Sequence, residues 1–99
     1  MERNFYVYIL TNERGNVMYV GVTNDLLRRV REHREHLTSG FTSTYNVRKL
    51  VHFEHTDYLD GAKLREKQIK GWTRAKKEAL VTTTNPGRED LFKKLIGLT

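Results

Sequence analysis

Phe5-Tyr6-Val7-Tyr8-Ile9-Leu10-Thr11, then Val17-Met18-Tyr19-Val20-Gly21-Val22, is the stretch that decides the fold. Both runs are aromatic and branched, the material of β-strands. Between them Asn12-Glu13-Arg14-Gly15-Asn16 is a polar turn with a glycine. The pair therefore reads as a hairpin. Side chains alternate across a strand, which groups Tyr6, Tyr8 and Leu10 on one face and Val17, Tyr19 and Gly21 together on the neighbouring strand. If Tyr8 pairs opposite residue 19 or 21, both tyrosines share a face. Aromatic residues also occupy such positions simply because they pack well, so the pair alone does not separate a core from a site.

Outward from the hairpin, Thr23-Asn24-Asp25 is a helix start, with Asn24 expected as the cap and Asp25 in the first turn. The helix is expected to run to Leu37 and to stop at Ser39-Gly40, with Leu26, Leu27, Val30 and Leu37 on its buried face. Residues 38–47 read as a polar loop. Lys49–Glu54 alternates as a third strand. A second helix is expected from Leu59 or Asp60 to Lys70, and a third, short one capped by Thr73. Asn85-Pro86 is expected to open a last helix whose apolar face is Leu91, Phe92, Leu95 and Ile96. The order is β-β-α-β-α-α-α, a single domain over residues 1–99.

Composition narrows the function. The 99 residues carry 18 Lys and Arg against 12 Asp and Glu, a net charge of +6. Such a balance attracts polyphosphate, anionic membrane or an acidic protein, and says nothing of fold. There is no cysteine, which excludes disulfides and Cys-based zinc sites. No run approaches the roughly 18 apolar residues of a membrane span. The start of the chain does not read as a secretory signal, and a cytoplasmic location with no membrane partner is expected.

Two further features bear on chemistry. Arg29 and His33 lie four apart on one helix face, and Arg29 stands beside the apolar stripe. A guanidinium there is either an ordinary surface charge or a phosphate ligand. Arg28, Arg31 and Arg34 read as a solvated basic face that at most tracks phosphate. In the second helix Leu59, Ala62, Ile69 and Trp72 fall within one arc, and Glu66 lies inside it. A carboxylate on an apolar face must be paired or metal-bound. Its partner is either Arg29, Lys63 or Lys67 in a salt bridge, or a divalent ion shared with substrate phosphate and water. His36, His52 and His55 show no ligand spacing; His52 and His55 are expected to be solvated or capping. Gly40–Tyr45 offers Thr42 and Tyr45 as nucleic-acid contacts, or is an ordinary polar loop.

Taken together these positions resemble the GIY-YIG nuclease superfamily, in its small stand-alone bacterial branch. Tyr6-Val7-Tyr8 stands for the first motif and Tyr19-Val20-Gly21 for the second. Arg29 follows Tyr19 by the family's spacing, His33 matches a frequent histidine, and Leu64–Lys70 resembles the segment of the metal-binding glutamate, placed on Glu66. Asn85-Pro86 through Asp90-Leu91 resembles the closing element of that branch. One departure is Tyr6, where the family has glycine. The resemblance implies an α+β fold (α/β in the broad sense) with a three-stranded, mainly antiparallel sheet flanked by helices. It implies a metal-dependent endonuclease acting on nucleic acid, DNA before RNA, with one Mg²⁺ or Mn²⁺ ion. By the same resemblance Tyr8, or Tyr19, helps deprotonate water, Arg29 stabilises the phosphorane, His33 positions a phosphate or relays a proton, and Glu66 holds the metal. Gly21, Arg28, Thr42, Tyr45 and Asn85 are expected around the substrate, with Asn85 closing the site edge. The rival expectations are a catalytically weak nucleic-acid-binding module of the same fold, and a domain whose basic helix meets an acidic protein.

Overall fold

The computed structural model describes residues 3–38 and 40–97. Strand β1 (Phe5–Thr11) pairs with β2 (Met18–Thr23) on one side and β3 (Lys49–Thr56) on the other, antiparallel in both cases, giving the order β2-β1-β3. The hairpin turn closes because the Asn12 carboxamide oxygen accepts from the backbone N–H of Asn16 at 3.1 Å and of Val17 at 3.2 Å, while Gly15 takes a positive φ of 73° at no steric cost. Tyr8 pairs with Gly21 and Leu10 with Tyr19, so both tyrosines do point to one face.

That face is covered by α1 (Leu26–Arg34) and α5 (Leu91–Leu95). Tyr8, Leu10, Leu26, Val30, Val47, Leu50 and Phe92 form its buried cluster. The opposite face carries Val7, Ile9, Val20 and Val51 against Ala62 and Ile69 of α3 (Leu59–Lys70) and Val81 of α4 (Arg74–Thr84). Burying side chains of this kind stabilises the fold by about 1.5–3 kcal/mol each. The sheet is thus a thin septum between two cores.

Several expectations shift. The cap of α1 is Asp25, not Asn24: its side chain accepts from the Arg28 backbone N–H. The helix ends at Arg34 rather than Leu37, because His36 adopts a left-handed φ of 56°. The N–H of Leu37 then reaches back to the Glu32 carbonyl at 2.8 Å and that of His36 to the His33 carbonyl at 3.2 Å. This is the Schellman closure, here with histidine where glycine is usual. Leu27 and Leu37 consequently face solvent, and His33 takes the buried place. Ser39, half of the expected stop, lies outside the described residues. The expected loop contains a one-turn helix, α2 (Phe41–Thr44). Thr73 caps α4 as expected, accepting from the Lys76 N–H at 3.2 Å, but α4 runs for three turns. Asn85-Pro86 ends α4 instead of opening α5, which Asp90 caps.

In β3 a bulge between the partners of Ile9 and Leu10 lets Ile9 pair with His52 and Leu10 with Leu50. The extra residue breaks the alternation. Leu50 and His52, expected on one face, lie on opposite ones, and His52 is buried rather than solvated.

Candidate active site

The hairpin register sets Tyr8 and Tyr19 side by side, with ring centroids 6.2 Å apart. Gly21 makes this arrangement fit: a Cβ there would stand 2.5 Å from both Cζ and Oη of Tyr8. The Tyr8 ring therefore lies across the backbone of β2, and only 1% of the residue is exposed.

From α1, His33 brings Nε2 to 3.1 Å from the Tyr8 hydroxyl. Its Nδ1 lies 3.0 Å from Thr42 Oγ1 and 3.3 Å from Thr38 Oγ1, and the two threonine hydroxyls are 2.8 Å apart. Burial, and then the neighbouring Arg29 charge, pull the His33 pKa down to about 4 against the weaker pull of Glu32. The imidazole is neutral near pH 7. One nitrogen then accepts, and the tautomer with Nε2 accepting from Tyr8 and Nδ1 donating to the threonines is compatible with these contacts. Burial pushes the Tyr8 phenol up to about 12, opposed by Arg29 and assisted by the charges of Tyr19 and Glu66.

Arg29 lies at the rim, its Nη1 donating to Glu32 Oε1 at 3.2 Å. Partial burial works against its charge, yet the Tyr8 oxygen and the Glu32 carboxylate hold it protonated more firmly than usual. Glu66 comes from α3 on the other core and is paired with Lys70 at 3.3 Å, not with Arg29, Lys63 or Lys67. It retains a partly exposed carboxylate whose field is felt at Tyr8.

The structure thus brings Tyr8, Tyr19, His33 and Arg29 together, with Glu66 acting through its charge. No cluster of three or more His, Cys, Asp or Glu suited to a metal occurs among the described residues. A lone, partly exposed carboxylate does fit Mg²⁺ or Mn²⁺, which bind through one or two carboxylates with water and substrate phosphate completing the shell.

The other expected contacts divide. Arg28 is exposed and only 3.9 Å-paired to Asp25, free to meet a phosphate. Tyr45 is exposed and packs on Phe41, which in turn stacks on Tyr19. Thr42 is buried, its hydroxyl taken up by His33 and Thr38; it is a support for the histidine rather than a surface for substrate. Asn85 does not close the site edge. Its amide nitrogen donates to the Val51 carbonyl at 3.1 Å and the Glu89 carbonyl at 2.9 Å, and its oxygen accepts from the Glu89 N–H at 3.1 Å. Those bonds tie the α4–α5 turn to β3.

Sequence reasoning missed Thr38, which no periodicity marks, and took Phe41 only as one of two loop aromatics, not as a ring stacked on Tyr19. It also missed Glu32, which the i,i+3 spacing from Arg29 would have found. Arg34 was read as solvated, yet it pairs with Asp90 at 2.6 Å and donates to the Arg48 carbonyl at 3.1 Å.

The model of the GIY-YIG catalytic domain matches residues 4–79. The chain belongs to the GIY-YIG family and so to a nuclease superfamily that acts on nucleic acid. A UPF0213 protein of Haloquadratum walsbyi is 41% identical over 75 residues, which is 76% of this chain and 83% of that one. A UPF0213 protein of Syntrophus aciditrophicus is 38% identical over 89% of this chain and 99% of its own length. The solution NMR structure of a UPF0213 protein from Bacillus halodurans superimposes with a TM-score of 0.58 at 31% identity, covering 91% of this chain and 95% of that one. The three-stranded antiparallel sheet with flanking helices is therefore the fold of the family. Among the described residues no helix is long and apolar enough to cross a membrane.

Proposed function

We propose that this chain is a metal-dependent endonuclease that hydrolyses phosphodiester bonds in nucleic acid, DNA in preference to RNA. The observation that carries the reading is the Tyr8–His33 hydrogen bond of 3.1 Å, closed from behind by threonine hydroxyls and flanked by Arg29.

A phenol held at about 12 is a weak base precursor by itself. Here the proton has somewhere to go: as the Tyr8 oxygen takes a proton from the attacking water, its own passes to His33 Nε2. His33 lies behind the Tyr8 hydroxyl and spends its other nitrogen on the threonines, which favours the relay over a phosphate contact. The Arg29 charge is the second cause of its low proton affinity. A phosphate bound at Arg29 offsets that charge, so substrate binding itself raises the basicity of the histidine. Arg29 then stabilises the negative charge that grows on the non-bridging oxygens. Tyr19, wedged between His33 and Phe41, orients the pair. Glu66 is the residue to hold Mg²⁺ or Mn²⁺, which when bound supplies Lewis-acid stabilisation of the phosphoryl and leaving oxygens.

The test is cleavage of labelled duplex, single-stranded, flapped and junction DNA and of RNA, with Mg²⁺, Mn²⁺ or EDTA. Metal-dependent cutting is expected, reduced at least about 10²-fold in Arg29→Ala and in Glu66→Gln. Wild-type rates in both folded variants overturn the assignment. A second reading, a nucleic-acid-binding module without useful catalysis, is favoured by the 1% exposure of Tyr8. It predicts salt-sensitive binding and an intact substrate under every metal condition.

A further inference from the structure

On the sheet face of Tyr8, the end of the sheet holds a cavity of about 450 Å³ lined by Asn4, Tyr6, Asn24, Asp25, Leu26, Leu27, Phe53 and Leu95. The volume is within the range of small-molecule sites, about 300–1,000 Å³. The residues already assigned to the chemistry do not line it. Yet it adjoins them: Tyr6 is two residues from Tyr8 on the same face of β1, and Leu26 is one helical turn from Arg29 on α1.

Its walls have a recognisable chemistry. Tyr6 and Phe53 supply aromatic surface, their centroids 6.5 Å apart in an edge-on arrangement. Tyr6 is further held against His55 at 5.3 Å, and His55 is anchored to Asn4 at 2.8 Å. Leu27 and Leu95 leave apolar surface open at the mouth. The polar groups are the carboxamides of Asn4 and Asn24 and the carboxylate of Asp25. Asp25 already caps α1 and places negative charge where an anion would otherwise settle. Aromatic walls with carboxamides and a carboxylate beside them suit a flat, neutral group with N–H donors better than an anion. Arg28 is exposed beside Asp25 and is not among the residues lining the cavity.

We propose that this cavity receives an unstacked nucleobase of the substrate, adjacent to the scissile phosphate, with amino-bearing bases preferred. The inference rests on the nucleic-acid reading above and names a subsite of it. It also gives a use to Tyr6, which stands where the family has glycine: glycine there would remove one of the two aromatic walls.

The experiment is an NMR titration of the whole isotope-labelled protein with adenosine, cytidine, thymidine and, separately, deoxyribose 5-phosphate. Adenosine and cytidine are expected to shift the resonances of Tyr6, Asn24, Leu27, Phe53 and Leu95, with thymidine weaker. Tyr6→Leu and Asn24→Leu should each weaken adenosine binding by about tenfold, the size expected for losing a stacking or edge contact. Asn24 is exposed, so that variant keeps its fold, and the spectra themselves report folding. Silence of these resonances, equal shifts with the sugar phosphate alone, or unchanged affinity in both variants overturns the proposal. Cleavage by the same preparation separates the two readings. Cutting with a silent cavity discards the base subsite and keeps the nuclease, whereas base binding without cutting by the wild type discards the nuclease and keeps the subsite.

Discussion

The two faces of the sheet each bury one histidine, and the two are built alike at one end and differently at the other. His33 and His52 are both 2% exposed. Each has a threonine hydroxyl near Nδ1, Thr42 at 3.0 Å and Thr84 at 2.9 Å. At Nε2 they part. His33 meets the Tyr8 hydroxyl, whereas His52 meets the Glu54 carboxylate at 2.8 Å. A carboxylate only accepts, so His52 Nε2 must donate, and Arg65 completes the group by a two-pronged bond to Glu54 at 2.8 and 3.0 Å. Every strong donor there already has its acceptor, and the group ties β3 to α3 and α4. On the other face the phenol is a donor that can also give its proton up, and the arginine beside it is still partly exposed. The same buried residue type is a brace where its partner is a charge, and on the proposed mechanism a relay where its partner is a phenol.

The sharpest break between the faces is Tyr8→Phe against Glu54→Gln. Tyr8→Phe removes the hydroxyl and is expected to lower cleavage by about 10²–10⁴-fold, the range of a positioned acid–base group. It leaves His33 Nε2 without a partner, so a stability loss of about 1–3 kcal/mol accompanies it. Glu54→Gln should leave the rate per folded molecule unchanged. Equal rate losses in the two variants would erase the distinction drawn above.

Gly21→Ala probes the same face with a methyl group. The added Cβ has to displace the Tyr8 ring from its contact at 2.5 Å. A displacement of about 1 Å at a reacting group costs about 10²-fold in rate, while overpacking costs about 1–3 kcal/mol. Rate and unfolding free energy measured together should show activity suffering more than the fold. A variant that loses stability and keeps its rate would place Gly21 in packing alone.

How far the sequence foretold this contrast depends on the range of the interactions. The hairpin follows from alternation and a turn, both local, whereas the register that puts Tyr8 and Tyr19 on one face was only one the sequence permitted and the structure settles it. Arg29 and His33 are set by helical spacing, and Glu66 stood out as a carboxylate among Ala62 and Ile69. The end of α1 was misjudged because a histidine, His36, takes the left-handed place usually held by glycine. The brace was invisible for another reason. One bulged residue in β3 reverses the faces of His52 and Leu50, and nothing in an alternating run announces a bulge. Thr38 and Thr42 reach His33 across the turn that follows α1, and Asn85 reaches Val51 across 34 residues. Such bonds depend on the assembled fold and leave no period behind.

Glu54→Gln is expected to have a moderate effect, on stability alone. Arg65 first, then His52, holds the Glu54 carboxyl below its usual range against the opposing effect of burial. The neutral amide loses the ionic part of both bonds, and a loss of about 1–3 kcal/mol at pH 7 is expected from urea unfolding. A neutral result would mean that solvent screening at this partly exposed group has removed most of its worth.

The finest discriminator is the dependence of stability on pH. His33 has a folded pKa of about 4 against 6.5 when unfolded, so between those values the unfolded chain binds the extra proton. Its contribution is complete above about 6.5 and is lost as the pH falls toward 4. Glu54 also has a lowered folded pKa, but its unfolded value lies in the ordinary carboxylate range, about 4.3. Its contribution is present above that value and is lost as the pH falls through the folded one. The two faces therefore lose stability in successive windows, His33 first and Glu54 below it, each with a slope of at most about 1.4 kcal/mol per pH unit. Urea midpoints from pH 7.5 to 3 should show the upper window flattened in His33→Gln and the lower one in Glu54→Gln. If His33→Gln leaves the upper window intact, the relay histidine is not held neutral by the fold, and its pairing with Tyr8 has to be redrawn with the proton on Nε2.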